Sequence, residues 1–230
     1  MELVALPHWH DPGKRRLLAT RAAHERDAET LWSLVQAYLR GYGRKGAAVS
    51  PRTLRNYSVA LRDYLEWAWP ADSPAPQVAI LEAGRDELGR YLADLQEHGS
   101  FLTGEPLAPG TLALRLAGVR ALYRALRWAG AAADPEGFPS VHDPTPAHER
   151  RPALPQALYK RLLLYLSGDD VESQRDHLAA RLMGEAGLRL SEVVGLEVGH
   201  VLLGEGLLEV RKGKGGKART LPLGRGLVRE

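Results

Sequence analysis

The chain has no cysteine among its 230 residues, which excludes disulfides and Cys-based zinc sites and fits a reducing compartment. No apolar run approaches the ~18 residues a membrane-spanning helix needs, and no signal peptide opens the chain, so a soluble, unexported, cytoplasmic protein is expected. There is no carboxylate cluster and no Walker-type glycine loop, so neither a metal nor a nucleotide cofactor is expected. Acidic residues are absent from two long stretches. From Arg40 to Arg62 the chain carries Arg40, Arg44, Lys45, Arg52, Arg55 and Arg62 without one Asp or Glu. From Pro106 to Ala133 it carries Arg115, Arg120, Arg124 and Arg127, again without an acid. The whole chain is only mildly basic, with net charge +3 and pI near 9.2, so it is the distribution of charge that informs. Both stretches also hold side chains able to bond phosphate oxygens once cations have attracted a polyanion: Ser50, Thr53, Asn56, Tyr57 and Thr111. A solvated helix face is the competing explanation of each.

What is present is mostly helical. Apolar residues make up 44% of the chain, enough to bury real cores in one large or two ordinary domains. Residues 1–23, with Pro7, Pro12, Gly13 and Lys14-Arg15-Arg16, read as a poorly ordered arm. Leu31, Leu34, Val35, Tyr38 and Leu39 recur at helical spacing over about 25–41. Ser50-Pro51 offers a favoured N-cap and first position for a second helix, which continues through Leu54, Tyr57, Leu61, Tyr64 and Leu65. A third helix is expected over Asp86 to His98 and a fourth from about Pro109 to Trp128, with the aromatic stripe of these helices in the core. Prolines 135, 139, 144, 146, 152 and 155 then forbid a helix and mark a linker. Beyond it, Ala157–Ser167 and Val171–Ala186 should be helical, with Leu158, Leu162, Leu163, Leu166, Leu178 and Leu182 inward.

The most informative residues come last. Gly187 suits the left-handed stop of one helix, which puts Arg189 in the first turn of the next, ahead of Ser191, Glu192, Val193 and Val194. A cation there opposes the helix dipole and calls for a partner, either Glu192 or an external anion. Leu207–Val210 and Thr220–Leu223 are short apolar runs on either side of the cluster Lys212-Gly213-Lys214-Gly215-Gly216-Lys217-Ala218-Arg219. This pattern predicts a β-hairpin whose glycine-rich turn frees Lys214 to approach a ligand.

Gly187-Leu188-Arg189-Leu190-Ser191-Glu192, with the Lys/Gly/Arg hairpin and Leu221-Pro222-Leu223, resembles the tyrosine recombinases, or phage-type integrases, and especially their Xer-like members. The resemblance implies that Arg189 grips the scissile phosphate and that Lys214 protonates the leaving 5′ oxygen, with Glu192 orienting the site. The N-terminal half resembles the same family's core-binding domain through Ser50-Pro51-Arg52-Thr53-Leu54-Arg55-Asn56-Tyr57, Thr111, Leu116, Val119-Arg120 and Tyr123. The fold implied is mainly α: a four-helix, SAM-like domain over 24–130, a linker over 131–153, and over 154–230 part of an α+β catalytic domain with a small antiparallel hairpin or sheet. Duplex DNA is the implied partner. Its contacts are expected from Arg52, Thr53, Arg55, Asn56, Arg115 and Arg120, and from Lys212, Lys217 and Arg219. The complete family works as a homo- or hetero-tetramer on DNA, conserves bond energy in a 3′-phosphotyrosine, and uses no cofactor and no metal, which implies a nucleoid-associated location.

The family's His-x-x-Arg motif and tyrosine nucleophile have no counterpart downstream of the hairpin. His148-Glu149-Arg150-Arg151 matches the first pattern but precedes Arg189 and lies in the proline-rich linker, so chain order argues for coincidence. Tyr38, Tyr42, Tyr57, Tyr64, Tyr91, Tyr123, Tyr159 and Tyr165 all precede Arg189 on segments that read as packing helices. A shortened recombinase that cannot by itself form the covalent link is therefore expected, with apolar surface left uncovered in its second domain. A catalytically silent protein that occupies recombination sites would share every one of these motifs. A plain helical scaffold without DNA affinity would have to carry Arg189, Lys214, Lys217 and Arg219 as incidental charge.

Overall fold

The computed structural model describes residues 9–132, 137–146, 149, 152–211 and 218–228. Two compact units divide between Pro144 and Thr145. Among the described residues the first contains five helices: α1 (Pro12–His24), α2 (Ala28–Gly41), α3 (Pro51–Ala68), α4 (Arg85–His98) and α5 (Pro109–Ala129). The last four are those expected from apolar spacing.

Helix α1 stands where an arm was expected. Its start obeys ordinary capping chemistry: the Asp11 carboxylate accepts the N–H groups of Gly13 and Lys14 at 2.8 and 3.1 Å, and Pro12 takes the first position. The apolar signal is weak because the face it buries is made of Ala19, Ala22 and Ala23. Helix α2 begins three residues later than expected because Asp27 caps it, accepting from the Thr30 N–H at 3.0 Å. Ser50 and Pro51 open α3 as read, with the Thr53 N–H donating to Ser50 Oγ at 3.1 Å. Helix α5 stops at Gly130 in the left-handed region, φ 71°.

Leu31, Leu34, Leu61, Leu88, Leu95, Leu122 and Leu126 fill the core together with Tyr64, Tyr91 and Tyr123, each such side chain contributing about 1.5–3 kcal/mol of burial. The hydroxyls of Tyr64 and Tyr123 bond each other at 2.6 Å. The aromatic stripe is therefore core. Helices α3 and α5 approach closely at Gly118, where a Cβ would collide with that of Ala60. The expected linker starts docked onto this unit. Phe138 and Val141 pack against its core, and the Phe138 ring lies 5.9 Å from that of Tyr123.

The second unit holds α6 (Gln156–Leu166), α7 (Val171–Glu185), α8 (Leu190–Val194), a 3-10 turn at Val198–His200, strands β1 (Val201–Leu202), β2 (Leu207–Val210) and β3 (Arg219–Pro222), and α9 (Arg225–Val228). The strands form one antiparallel sheet in the order β1-β2-β3, with Leu208 opposite Leu221 and Val210 opposite Arg219. The expected hairpin is β2–β3, and the two-residue β1 is too short to leave a signal in the sequence. Pro222, which has no N–H to donate, is tolerated at the end of an edge strand. Leu182, Leu188, Leu208, Val210 and Leu227 form the core. The inward placement expected for Leu158, Leu162 and Leu178 does not hold: they are 47%, 40% and 38% exposed, and α6 contains no buried residue. No described helix is long and apolar enough to cross a membrane.

Candidate nucleic-acid interface

Gly187 ends the α7 segment at φ 68°, as the sequence predicts, and turns the chain into α8. Arg189 is the residue that caps α8, one step ahead of the expected first turn. Its compensating partner is Glu192, one turn on, whose side chain is only 1% exposed. Four donors converge on that carboxylate. Oε1 accepts Arg189 Nη1 at 2.9 Å and Arg219 Nη1 at 2.8 Å; Oε2 accepts the Arg189 backbone N–H at 2.9 Å and Arg219 Nη2 at 2.8 Å. Arg219 at the start of β3 thus holds Glu192 in a bidentate fork, whereas Arg189 uses one guanidinium nitrogen.

Electrostatics follow from this geometry. The Arg219 fork, seconded by the Arg189 N–H, holds the Glu192 carboxyl far below the usual carboxylate range. Reciprocally, Glu192 raises the already high pKa of Arg219. One buried anion faces two guanidiniums, so the cluster carries one surplus positive charge. That surplus is exposed at Arg189, whose side chain is 55% accessible against 32% for Arg219. Behind Glu192 lies a cavity of about 430 Å³ lined among others by Ser191, His200, Glu209 and Arg211. His200 is buried there and accepts the Glu197 N–H through Nδ1 at 3.1 Å. Sequence reading did not single out His200. No described group of three or more His, Asp or Glu is placed to hold a metal ion.

The structure therefore brings together Arg189, Glu192 and Arg219 from the expected set. Arg219, which was expected on DNA, is forked onto Glu192 with its side chain 32% exposed. Lys212, Lys214 and Lys217 lie outside the described residues, as do His148, Arg150 and Arg151 of the linker match.

In the first unit the expected contacts separate into two groups. Arg52 and Arg55 are exposed on the first turns of α3, and Asn56 is half-buried beside them. Thr53 is half-buried and its hydroxyl bonds Ser50 Oγ at 2.8 Å, so it serves the helix cap. Arg115 is not the surface cation expected. Its side chain is 12% exposed and its Nε lies 2.6 Å from Oδ2 of Asp63, a carboxylate with no exposure at all. Asp63 Oδ1 also accepts the Phe101 N–H at 2.7 Å and the Ser100 hydroxyl at 3.2 Å, so this ion pair ties α3, α5 and the turn after α4 together. Arg120 is half-committed as well, with its guanidinium 4.9 Å from the Phe138 ring centroid. Charge spacing alone could not reveal these partners, because Asp63 and Phe138 are far from the arginines along the chain or on another segment.

Comparison with known proteins matches residues 153–229 to the "Phage integrase family" and residues 35–130 to the "Phage integrase, N-terminal SAM-like domain". A tyrosine recombinase XerC of Pseudomonas putida is 39% identical over 148 residues, covering 60% of this chain and 44% of that protein. A tyrosine recombinase XerC of Pseudomonas fluorescens is 34% identical over 191 residues, covering 79% and 56% respectively. The chain spans about half the length of these curated relatives. A crystal structure of XerA recombinase superposes at a TM-score of 0.34 with 19% identity over 88% of this chain and 62% of that one, a likeness too weak to bear on the fold.

Proposed function

Because the chain belongs to the tyrosine recombinases of the phage integrase family, in their Xer-like branch, we propose that it binds duplex DNA at recombination sites, with Arg189 on the phosphate that the complete enzyme would cleave. One observation carries this reading: a guanidinium that is anchored through a single nitrogen to a buried carboxylate and is otherwise 55% exposed. The anchor fixes its position, and the remaining N–H groups are free to take two phosphate oxygens in a planar fork. In the reaction a tyrosine oxygen attacks phosphorus, the 5′ oxygen leaves with a proton from Lys214, and a 3′-phosphotyrosine keeps the bond energy. Fixed cations do the work of a metal by neutralising the pentavalent phosphate. Arg52 and Arg55 supply attraction to the backbone from the first unit. Assembly as a tetramer on paired sites belongs to the same reading.

Three of the eight tyrosines are set aside as nucleophiles by their burial. Tyr64, Tyr91 and Tyr123 are fully buried, and desolvation drives each phenol's pKa far above its ordinary value. On this reading these 230 residues bind DNA without forming a covalent link by themselves. The test uses fluorescence anisotropy on a duplex and, separately, a nicked suicide duplex. Arg189→Ala should weaken binding about tenfold or more, the magnitude of a charge-assisted hydrogen-bonded contact, and no protein–DNA adduct should survive denaturing electrophoresis. Unchanged affinity in Arg189→Ala would remove the phosphate role, and an adduct would remove the non-covalent one.

A further inference from the structure

We infer that Arg219 is a positioning residue that keeps the Arg189 guanidinium available to another anion, by occupying the carboxylate that would otherwise pair with it fully. The inference deepens the reading of Arg189 as the phosphate ligand and rests on it. A carboxylate offers about four lone-pair sites. Glu192 has all of them filled: two by the Arg219 fork, one by the Arg189 backbone N–H and one by Arg189 Nη1. A second bond from the Arg189 guanidinium would need a site that Arg219 holds. Glu192 lies three residues from Arg189 on α8, close enough to close a bidentate pair, and its side chain is only 1% exposed. Removing Arg219 therefore leaves a buried, half-satisfied anion whose nearest remaining cation is Arg189. That guanidinium would turn inward, its surplus charge would vanish, and the phosphate would lose its fork.

Arg219 also comes from a different element. It is the first residue of β3, opposite Val210, 27 residues after Glu192, so the same fork fastens the β2–β3 hairpin to α8. The segment carrying Lys214 joins those two strands. A direct phosphate contact by Arg219 is the rival explanation, and it makes a different prediction about Glu192.

The experiment is a double-mutant cycle on the full chain, reading duplex affinity and its dependence on salt. Arg219→Ala should lower affinity and reduce the slope of log K against log salt by about 0.9, one phosphate's worth, although on this inference Arg219 itself touches no phosphate. Glu192→Gln keeps the shape of the side chain but removes its charge. In the presence of Arg219 it loosens the anchor of Arg189 and should lower affinity modestly; in the Arg219→Ala background its effect should reverse sign and restore most of the lost affinity and slope, because nothing then neutralises Arg189. Arg219→Lys, which keeps a cation on Glu192 but only one point of contact, should show a smaller loss that Glu192→Gln also reverses, which separates the effect from misfolding. Equal effects of Glu192→Gln in both backgrounds would overturn the inference in favour of direct contact. Insensitivity of binding to Arg189→Ala would instead overturn the phosphate reading itself, and the two failures are distinguished in one set of titrations.

Discussion

Replacing Arg115 by Met tests whether this arginine belongs to the core or to the DNA surface. The Met side chain retains most of the apolar stem and removes only the guanidinium. Asp63, with no exposed surface, would keep the Phe101 N–H at 2.7 Å and the Ser100 hydroxyl at 3.2 Å but lose the guanidinium paired with it. Removing one partner of a buried pair costs about 3–5 kcal/mol, because the surviving charge has neither water nor counter-ion. With a urea dependence of about 2 kcal/mol per molar, the unfolding midpoint should fall by about 2 M, a large share of the roughly 5–15 kcal/mol a domain possesses. All five tryptophans lie in the first unit, so their fluorescence in a urea titration follows the affected core alone. Adding Asp63→Asn should recover part of the loss, since the amide oxygen still accepts from Phe101 and no charge is stranded. A midpoint within about 0.5 M of the parent, together with a salt slope of DNA binding reduced by one phosphate, would refute the assignment.

Three other outcomes follow from the same structure. Arg52→Ala/Arg55→Ala should reduce the salt slope of duplex binding by about 2 with stability changed by less than about 0.5 kcal/mol; adding Arg120→Ala should cost about 0.5–1 kcal/mol of stability through the lost stack on Phe138, and an unchanged slope in the pair would take α3 off the DNA. Gly118→Val should destabilise the first unit by about 1–3 kcal/mol or more in thermal melts, because the added carbons meet Ala60 across α3 and α5; a neutral result would show that the helices can separate freely. Because the Glu192 pKa is lowered on folding, its stabilising effect is complete above the unfolded value of about 4.5 and fades as the pH falls toward the folded one. The stability gap between parent and Glu192→Gln should accordingly be constant at pH 5–7 and shrink below pH 4.5, whereas a gap that persists at acid pH would show that the carboxylate charge is not what matters.

How far the sequence could be read depended on the range of the interaction. Caps and stops are local, so Ser50-Pro51 and Gly187 placed two helix ends correctly. Asp11-Pro12 was an equally good start signal, but the helix it opens buries alanines, and a face of small residues gives little periodicity to notice. Arg189 and Glu192 are three residues apart, and their pairing was foreseeable from helix geometry alone. The partners of Arg115 and Arg219 were not, since Asp63 lies on another helix and Glu192 on another element. Charge spacing reads both arginines as surface cations, and only the tertiary fold shows that carboxylates have claimed them. The exposed leucines of α6 are the converse case: their helical period is correct, but periodicity cannot tell which neighbour, if any, covers the stripe.

The sharing of Glu192 between a near and a distant arginine has a kinetic consequence. Contacts between residues three apart form within a turn of nascent helix, while the strand that brings Arg219 must first close a 27-residue loop. On loop-closure grounds Glu192 would meet Arg189 first, in a pair without surplus charge. If Arg219 is the positioning residue inferred above, the later arrival of the third strand would free that guanidinium, and phosphate binding would be acquired in the same event that completes the sheet.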